Sequence, residues 1–173
     1  MPVTIETIKE HAATLEWKFD TSAKFPNEIR LIFSTDNYKN QQGEMSIILY
    51  ANVSENSDYL EVYAEMVENI STCRFKGAVL AAAGEVMLQT RHTQIEYNPK
   101  DGDIRVAVDI PVFDSAITAK QFSVMVNNIL FVMDTFQPVM KHAMETGQVD
   151  MSKKWSLPEE EDIDEVEPEA AKS

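Results

Sequence analysis

The sequence predicts an α+β domain, an antiparallel sheet with helices gathered around it in the order α-βββ-α-ββ-α. Three observations carry this. Five stretches between Glu28 and Val112 place apolar residues at every second position, the mark of half-buried antiparallel strands. Three other stretches, one before them, one among them and one after, carry helical spacing or a run of helix formers. The strands come in runs instead of alternating one-for-one with helices, which points away from a wound parallel sheet.

The first helix is signalled by "VTIETIKEHAATLEWKF". Thr4 is placed as its N-cap, with Val3 and Ile8 spaced for a hydrophobic staple. Ile5, Ile8, Ala12 and Leu15 make its apolar face, and Pro26-Asn27 close the region. The first three strands follow. Ile29, Leu31 and Phe33 alternate in "EIRLIFS"; Met45, Ile47, Leu49, Ala51 and Val53 in "EMSIILYANV"; Leu60, Val62, Ala64 and Met66 in "YLEVYAEM". The connections "TDNYKNQQG" and "SENSD" are rich in turn formers. A second helix is expected over about Cys73–Gln89. The hairpin "QIEYNPKDGDIRVAVDIPV" comes next, its Asp-Gly supplying the positive φ of the loop. The last helix opens on a capping box, Thr118 with Gln121, and runs through Phe122, Val126, Ile129, Met133, Phe136 and Met140. Pro138 predicts a kink and Gly147 a stop.

Residues 1–147 therefore read as one domain. Residues 148–173 read as a disordered acidic tail, because "PEEEDIDEVEPEAAKS" has too few apolar residues to offset the entropy of ordering. Within that tail, Trp155 in "SKKWSLP" is close enough to the domain to reach the rim of its sheet or a dimer mate's and fold back on an apolar patch, from which a client would displace it; a solvated indole is the other reading.

The net charge is −14 and the pI about 4.5. A surface this negative repels phosphate, so neither nucleic acid nor anionic membrane is an expected partner. No apolar run is long enough to span a bilayer. The N-terminus lacks the pattern of a signal peptide, and the single cysteine, Cys73, fits a reducing cytoplasm.

The stretch "VMLQTRHTQIEYNPKDGDIRVAVDIPV", followed by the helix ending in "MDTFQPVM", resembles the YbjN family, bacterial proteins of the type III secretion chaperone-like fold. Tyr97, Asp101, Gly102, Ile104, Arg105, Phe136 and Pro138 match its pattern of short strand, Asp-Gly loop, apolar strand and proline-bearing helix. The likeness runs from about Lys76 to Ala143. The chain departs from it at Arg91-His92, where relatives often carry glycine, and in the alanines of its middle helix. The resemblance implies a cytoplasmic homodimer that holds a protein or peptide client, or regulates through protein contacts.

No catalytic, cofactor-binding or metal site is read. His11, His92 and His142 are scattered over different elements, and no glycine-rich phosphate loop is present. Cys73 reads as a small half-buried side chain. Asp101 and Asp103 in "NPKDGD" lack the ligand count of a calcium loop. Two candidate surfaces remain. Gly77, Ala81 and Gly84 form a stripe of small residues on the second helix, which faces either the protein's own sheet or a second copy; the resemblance favours the dimer contact. Ile32, Ile48, Tyr50 and Tyr63, with Ala107, Arg30, Glu61 and Arg105, lie on the sheet face away from the regular apolar sets and form the expected partner-binding patch. The expected function is non-enzymatic capture of a partner protein or peptide. The alternative is a small-ligand sensor or enzyme with a pocket between the long C-terminal helix and the sheet.

Overall fold

Every strand is hydrogen-bonded to its neighbours in one six-stranded sheet. The computed structural model describes residues 3–156 apart from positions 57, 67 and 114. The elements are α1 (Ile5–Thr14), β1 (Phe19–Ser22), β2 (Phe25–Ser34), β3 (Ser46–Val53), β4 (Tyr59–Glu65), α2 (Lys76–Gln89), β5 (Gln94–Tyr97), β6 (Ile104–Pro111) and α3 (Ala119–Thr146), followed by a 3-10 turn at Met151–Lys153. The sheet is antiparallel throughout, in the spatial order β1-β2-β3-β4-β6-β5. The sequence-derived order stands, with one addition. β1, only four residues long, pairs with β2 ahead of the expected strands.

Alternation decides which face is buried. Ile29, Leu31, Leu49, Ala51, Leu60, Val62, Ala64 and Val106 are fully buried against Ile8 of α1 and Phe122, Ile129, Met133 and Met140 of α3. Burying one Leu, Ile or Phe stabilises by about 1.5–3 kcal/mol, and slipping a strand by one residue would turn its whole set outward. The helix ends behave as the sequence implies. Thr4 Oγ1 accepts from Thr7 N–H at 3.3 Å, and Val3 and Ile8 are buried together at that end. Thr118 and Gln121 make both bonds of the capping box, and Gly147 ends α3 at φ 75°.

Three boundaries differ from expectation. β2 starts at Phe25, so Pro26 and Asn27 lie inside a strand instead of ending a region. The first residues expected in α2 form a turn in which Cys73 N–H donates to Ile70 O at 3.1 Å. The domain edge expected at Gly147 also moves. Val149 and Met151 pack against the core, and Trp155 N–H donates to Thr135 O at 2.8 Å, so the folded chain continues to the end of the described residues. The acidic block itself, residues 157–173, lies outside the described residues.

A polar clamp at the middle of α3 ties two loops to the core. The Asp134 carboxylate accepts three successive backbone N–H groups, from Asp36 at 3.1 Å and from Asn37 and Tyr38 at 2.7 Å. Pro138 has no N–H to offer the carbonyl four residues back, and that carbonyl, Asp134 O, instead accepts from Asn37 Nδ2 at 3.0 Å. One turn on, buried Gln137 accepts from Lys39 N–H at 3.3 Å and donates to Glu68 Oε1 at 3.0 Å. Lys141 Nζ stands 3.6 Å from the same oxygen, while Glu68 Oε2 is buried without a protein partner.

Burial pushes the Glu68 carboxyl above the usual range, and Lys141, at 3.6 Å, offsets this only in part. The folded state therefore holds the Glu68 proton to higher pH than the unfolded chain does. The contribution of this group is fully present below its unfolded value near ~4.3 and is lost as pH rises through the folded one. Glu68→Gln is accordingly expected to stabilise the protein at pH 7 by on the order of 1 kcal/mol. The difference from the unaltered protein should shrink as pH falls toward 4.5, read as urea midpoints across that range. A Glu68→Gln protein that is less stable at pH 7 would contradict this reading.

Candidate functional site

The face of the sheet turned away from the helices is the candidate site. It is built from the alternate residues that the core does not take, and cross-strand register decides which of them meet. One row runs Asp20, Arg30, Tyr50, Tyr63, Ala107, Gln94 from β1 to β5. A parallel row begins with Ile32 opposite Ile48 and has Glu65, Arg105 and Glu96 in the later strands.

The aromatic centre is ordered by its charged neighbours. Tyr50 and Tyr63 stack with ring centroids 5.0 Å apart and planes 19° from parallel. Arg105 lies over the Tyr63 ring at 5.0 Å and bridges Glu61 at 2.9 Å and Glu96 at 2.5 Å. The Tyr63 hydroxyl donates to Glu28 Oε2 at 3.1 Å. At the edge, Arg30 holds Asp20 through two parallel bonds of 2.7 and 2.8 Å. Partial burial pushes both tyrosines above the ordinary phenol value, and the Glu28 carboxylate pushes Tyr63 further. Both phenols thus stay neutral at physiological pH. Burial also raises the Glu61 carboxyl against the opposing pull of Arg105.

Beside this fixed centre lies apolar surface with no cover among the described residues. Ile32 is 51% exposed and Ile48 43%, and the two are direct cross-strand partners. At the other end of the face Tyr59 and Phe113 are exposed and meet at 6.1 Å, with Phe113 held at φ 38°. The structure thus brings all four residues of the expected patch onto one face, with Tyr50 and Tyr63 half-buried and the two isoleucines open. Ala107 is different. It lies between Tyr63 and Gln94 in the register and is buried, so it offers no contact surface. Tyr59 and Phe113 were not expected here. Tyr59 was legible as the open-face residue two before Glu61, whereas Phe113 follows the last strand and carries no periodic signal.

The small-residue stripe of α2 is also open. Gly77 and Ala81 are exposed and Gly84 half-exposed, and a Cβ built on either glycine would meet nothing within 4 Å. The buried side of α2 is instead Val79, Ala82, Ala83 and Val86. Between the two readings of the stripe, the protein's own sheet is removed. Leu80 and Leu88 flank it, Leu88 with 88% of its surface exposed.

The residues considered for chemistry stay apart. His11 Nε2 is bonded to Ile117 O at 2.8 Å, His92 precedes β5, and His142 is on α3. Cys73 is half-buried beside Met144 O. Among the described residues no group of three or more His, Cys, Asp or Glu is placed to hold a metal ion. A groove of 590 Å³ does lie between the N-terminal half of α3 and the β5–β6 end of the sheet. Part of its polar lining is already engaged. Gln94 is bonded to Asp109, and Gln121 belongs to the helix cap. Among the described residues no helix is long and apolar enough to cross a membrane.

No protein-family model and no curated protein matches the chain. Solved structures do. The crystal structure of YbjN from E. coli, described as a candidate transcription regulator, aligns with a TM-score of 0.52 at 13% identity, over 77% of this chain and 92% of that one. A chain of the ExsC–ExsE complex aligns with a TM-score of 0.52, also at 13% identity, over 81% of this chain and 97% of that one. These likenesses show the fold: the chain has the α+β fold of YbjN and of the chain from the ExsC–ExsE complex.

Proposed function

We propose that this protein is a non-enzymatic binding module of the YbjN type, a chaperone-like or regulatory protein that captures a partner protein or peptide. The observation that carries the reading is the uncovered sheet face, where Ile32 and Ile48 lie open beside the stacked Tyr50–Tyr63 pair and the Arg105 ion pairs. Exposed aliphatic side chains next to rigid aromatics and rimmed by charge make the mixed surface that protein partners bury. The fold supports the reading, since one of the structures it matches is a chain from a two-protein complex. The net charge of −14 favours a polypeptide partner over nucleic acid. The module works in the cytoplasm as a homodimer whose contact is the open stripe of Gly77, Ala81 and Gly84, with Leu80 and Leu88 at its margins.

One crossed experiment tests both surfaces. Tagged wild type, Ile32→Lys/Ile48→Lys and Ala81→Glu are each used for capture from native host extract and for light scattering at tens of micromolar, on the order of the range where standard interfaces are occupied. The isoleucine pair is expected to stay dimeric and to lose the co-purifying partner by tenfold or more. Ala81→Glu is expected to become monomeric. Undiminished capture by the isoleucine pair removes the sheet face as the site, and a monomeric wild type removes the α2 contact.

A further inference from the structure

A second bond reaches α3 beside the loop clamp. The carbonyl next to Asp134 O, that of Thr135, accepts the backbone N–H of Trp155 at 2.8 Å. The chain past α3 therefore doubles back along the helix it has just left and ends its described course in a groove. This groove lies between α3, the end of β2 and the end of α2, with Thr35, Gln89, Phe131 and Phe136 in its walls. Its apolar side is built from Phe136, buried, and Phe131, 55% exposed, which meet edge-on at 5.9 Å.

The fit of the segment to this groove is incomplete. Trp155 is only half-buried, while Lys154 and Ser156 on either side of it are exposed. Among the described residues, a volume of 640 Å³ stays open beside the indole. Phe131 keeps more than half its surface exposed although an aromatic side chain sits in the same groove. A permanent seat would close these gaps, as the core does around Phe122, which has no exposed surface.

We propose that this groove is a second docking site, for an extended peptide segment carrying a large aromatic side chain, and that Lys154–Ser156 occupy it as a resident ligand which such a partner displaces. The recognition elements are an acceptor carbonyl for one backbone N–H and an aromatic wall for one ring. Trp155 supplies the backbone N–H in cis and lines the same groove as the two phenylalanines, which points to the chemistry the site accepts. The site lies on the helix side of the sheet, so its failure leaves the sheet-face reading standing.

Because the resident segment is tethered, it competes at an effective concentration on the order of millimolar. The probe is a fluorescein-labelled peptide of the sequence MSKKWSLP, titrated into full-length protein and followed by anisotropy. The Trp155→Ala protein, with the ring removed, is expected to bind it about tenfold or more tightly than wild type. Adding Phe131→Ser to Trp155→Ala should abolish the binding. A second measurement keeps the test independent of how that variant folds. In full-length Trp17→Phe protein Trp155 is the single reporter, and an unlabelled MSKKFSLP peptide, itself without tryptophan, should move its emission to the red as the indole is released. Equal binding to wild type and Trp155→Ala, or an unmoved Trp155 emission at millimolar peptide, overturns the proposal.

Discussion

Gly102→Ala is expected to be among the most damaging single substitutions in the chain, lowering unfolding free energy by about 2–5 kcal/mol. Two costs add. Gly102 sits at φ 85°, in the left-handed region that an L side chain enters at about 1–2 kcal/mol. Its missing Cβ would also lie 2.4 Å from Ser71 N and 2.6 Å from Ser71 Cα. These are backbone atoms, held there because Ile70 N–H donates to Gly102 O at 2.8 Å and Asn69 Nδ2 donates to Asp101 O at 3.0 Å. The hairpin and the β4–α2 loop cannot part without losing those bonds. Gly43 is the control. It has φ 81° with nothing within 4 Å of a built Cβ, so Gly43→Ala should cost only the conformational part, about 1–2 kcal/mol. Urea midpoints of the two variants separate the terms, and equal midpoints would falsify the contact argument.

Asp134→Ala should rank beside it, at about 3 kcal/mol. One carboxylate receives the N–H groups of Asp36, Asn37 and Tyr38, and hydrogen bonds to a charged acceptor are worth roughly twice neutral ones. Tyr38 is buried at 2% exposure, so the bond its N–H makes to the carboxylate is lost away from solvent. Asp134→Asn retains one acceptor oxygen and should recover about half the loss. Faster amide exchange at residues 36–38 in the alanine variant is the local signature. A midpoint within error of wild type would show that water takes over the role of the carboxylate.

These two sites divide between what the sequence shows and what it hides. Asp-Gly in "NPKDGD" announces a turn on local grounds, and the turn is there. That its glycine also lies under Ser71 is a contact across 31 positions, and no local rule carries it. The alternation of Ile47, Leu49, Ala51 and Val53 is visible because burial on one face imposes period two, and the same rule placed Ile32, Ile48, Tyr50 and Tyr63 together on the other face. β1 was not visible, since four residues with one large apolar side chain give no period, and β2 supplies its reason for being a strand. The clamp was half visible. Gln137 falls four residues after Met133, on the apolar stripe of α3, and a polar residue there signals a buried partner. Nothing local names that partner as Glu68. The open stripe on α2 was legible as a pattern, while its orientation depended on which side of the helix Val79, Ala82 and Val86 would bury.

The crossed strand order has a kinetic meaning. β1 to β4 are consecutive neighbours, and β5 with β6 is a local hairpin, so both groups close short loops. The seam between them, β4 with β6, joins Glu65 to Arg105 and Tyr59 to Pro111 across the whole of α2 and β5. Closing it costs the most chain entropy of any pairing in the sheet. On this ground, side chains at the seam, Val62 against Val108, are expected to change the folding rate more than residues inside either half when truncated, as read from refolding kinetics.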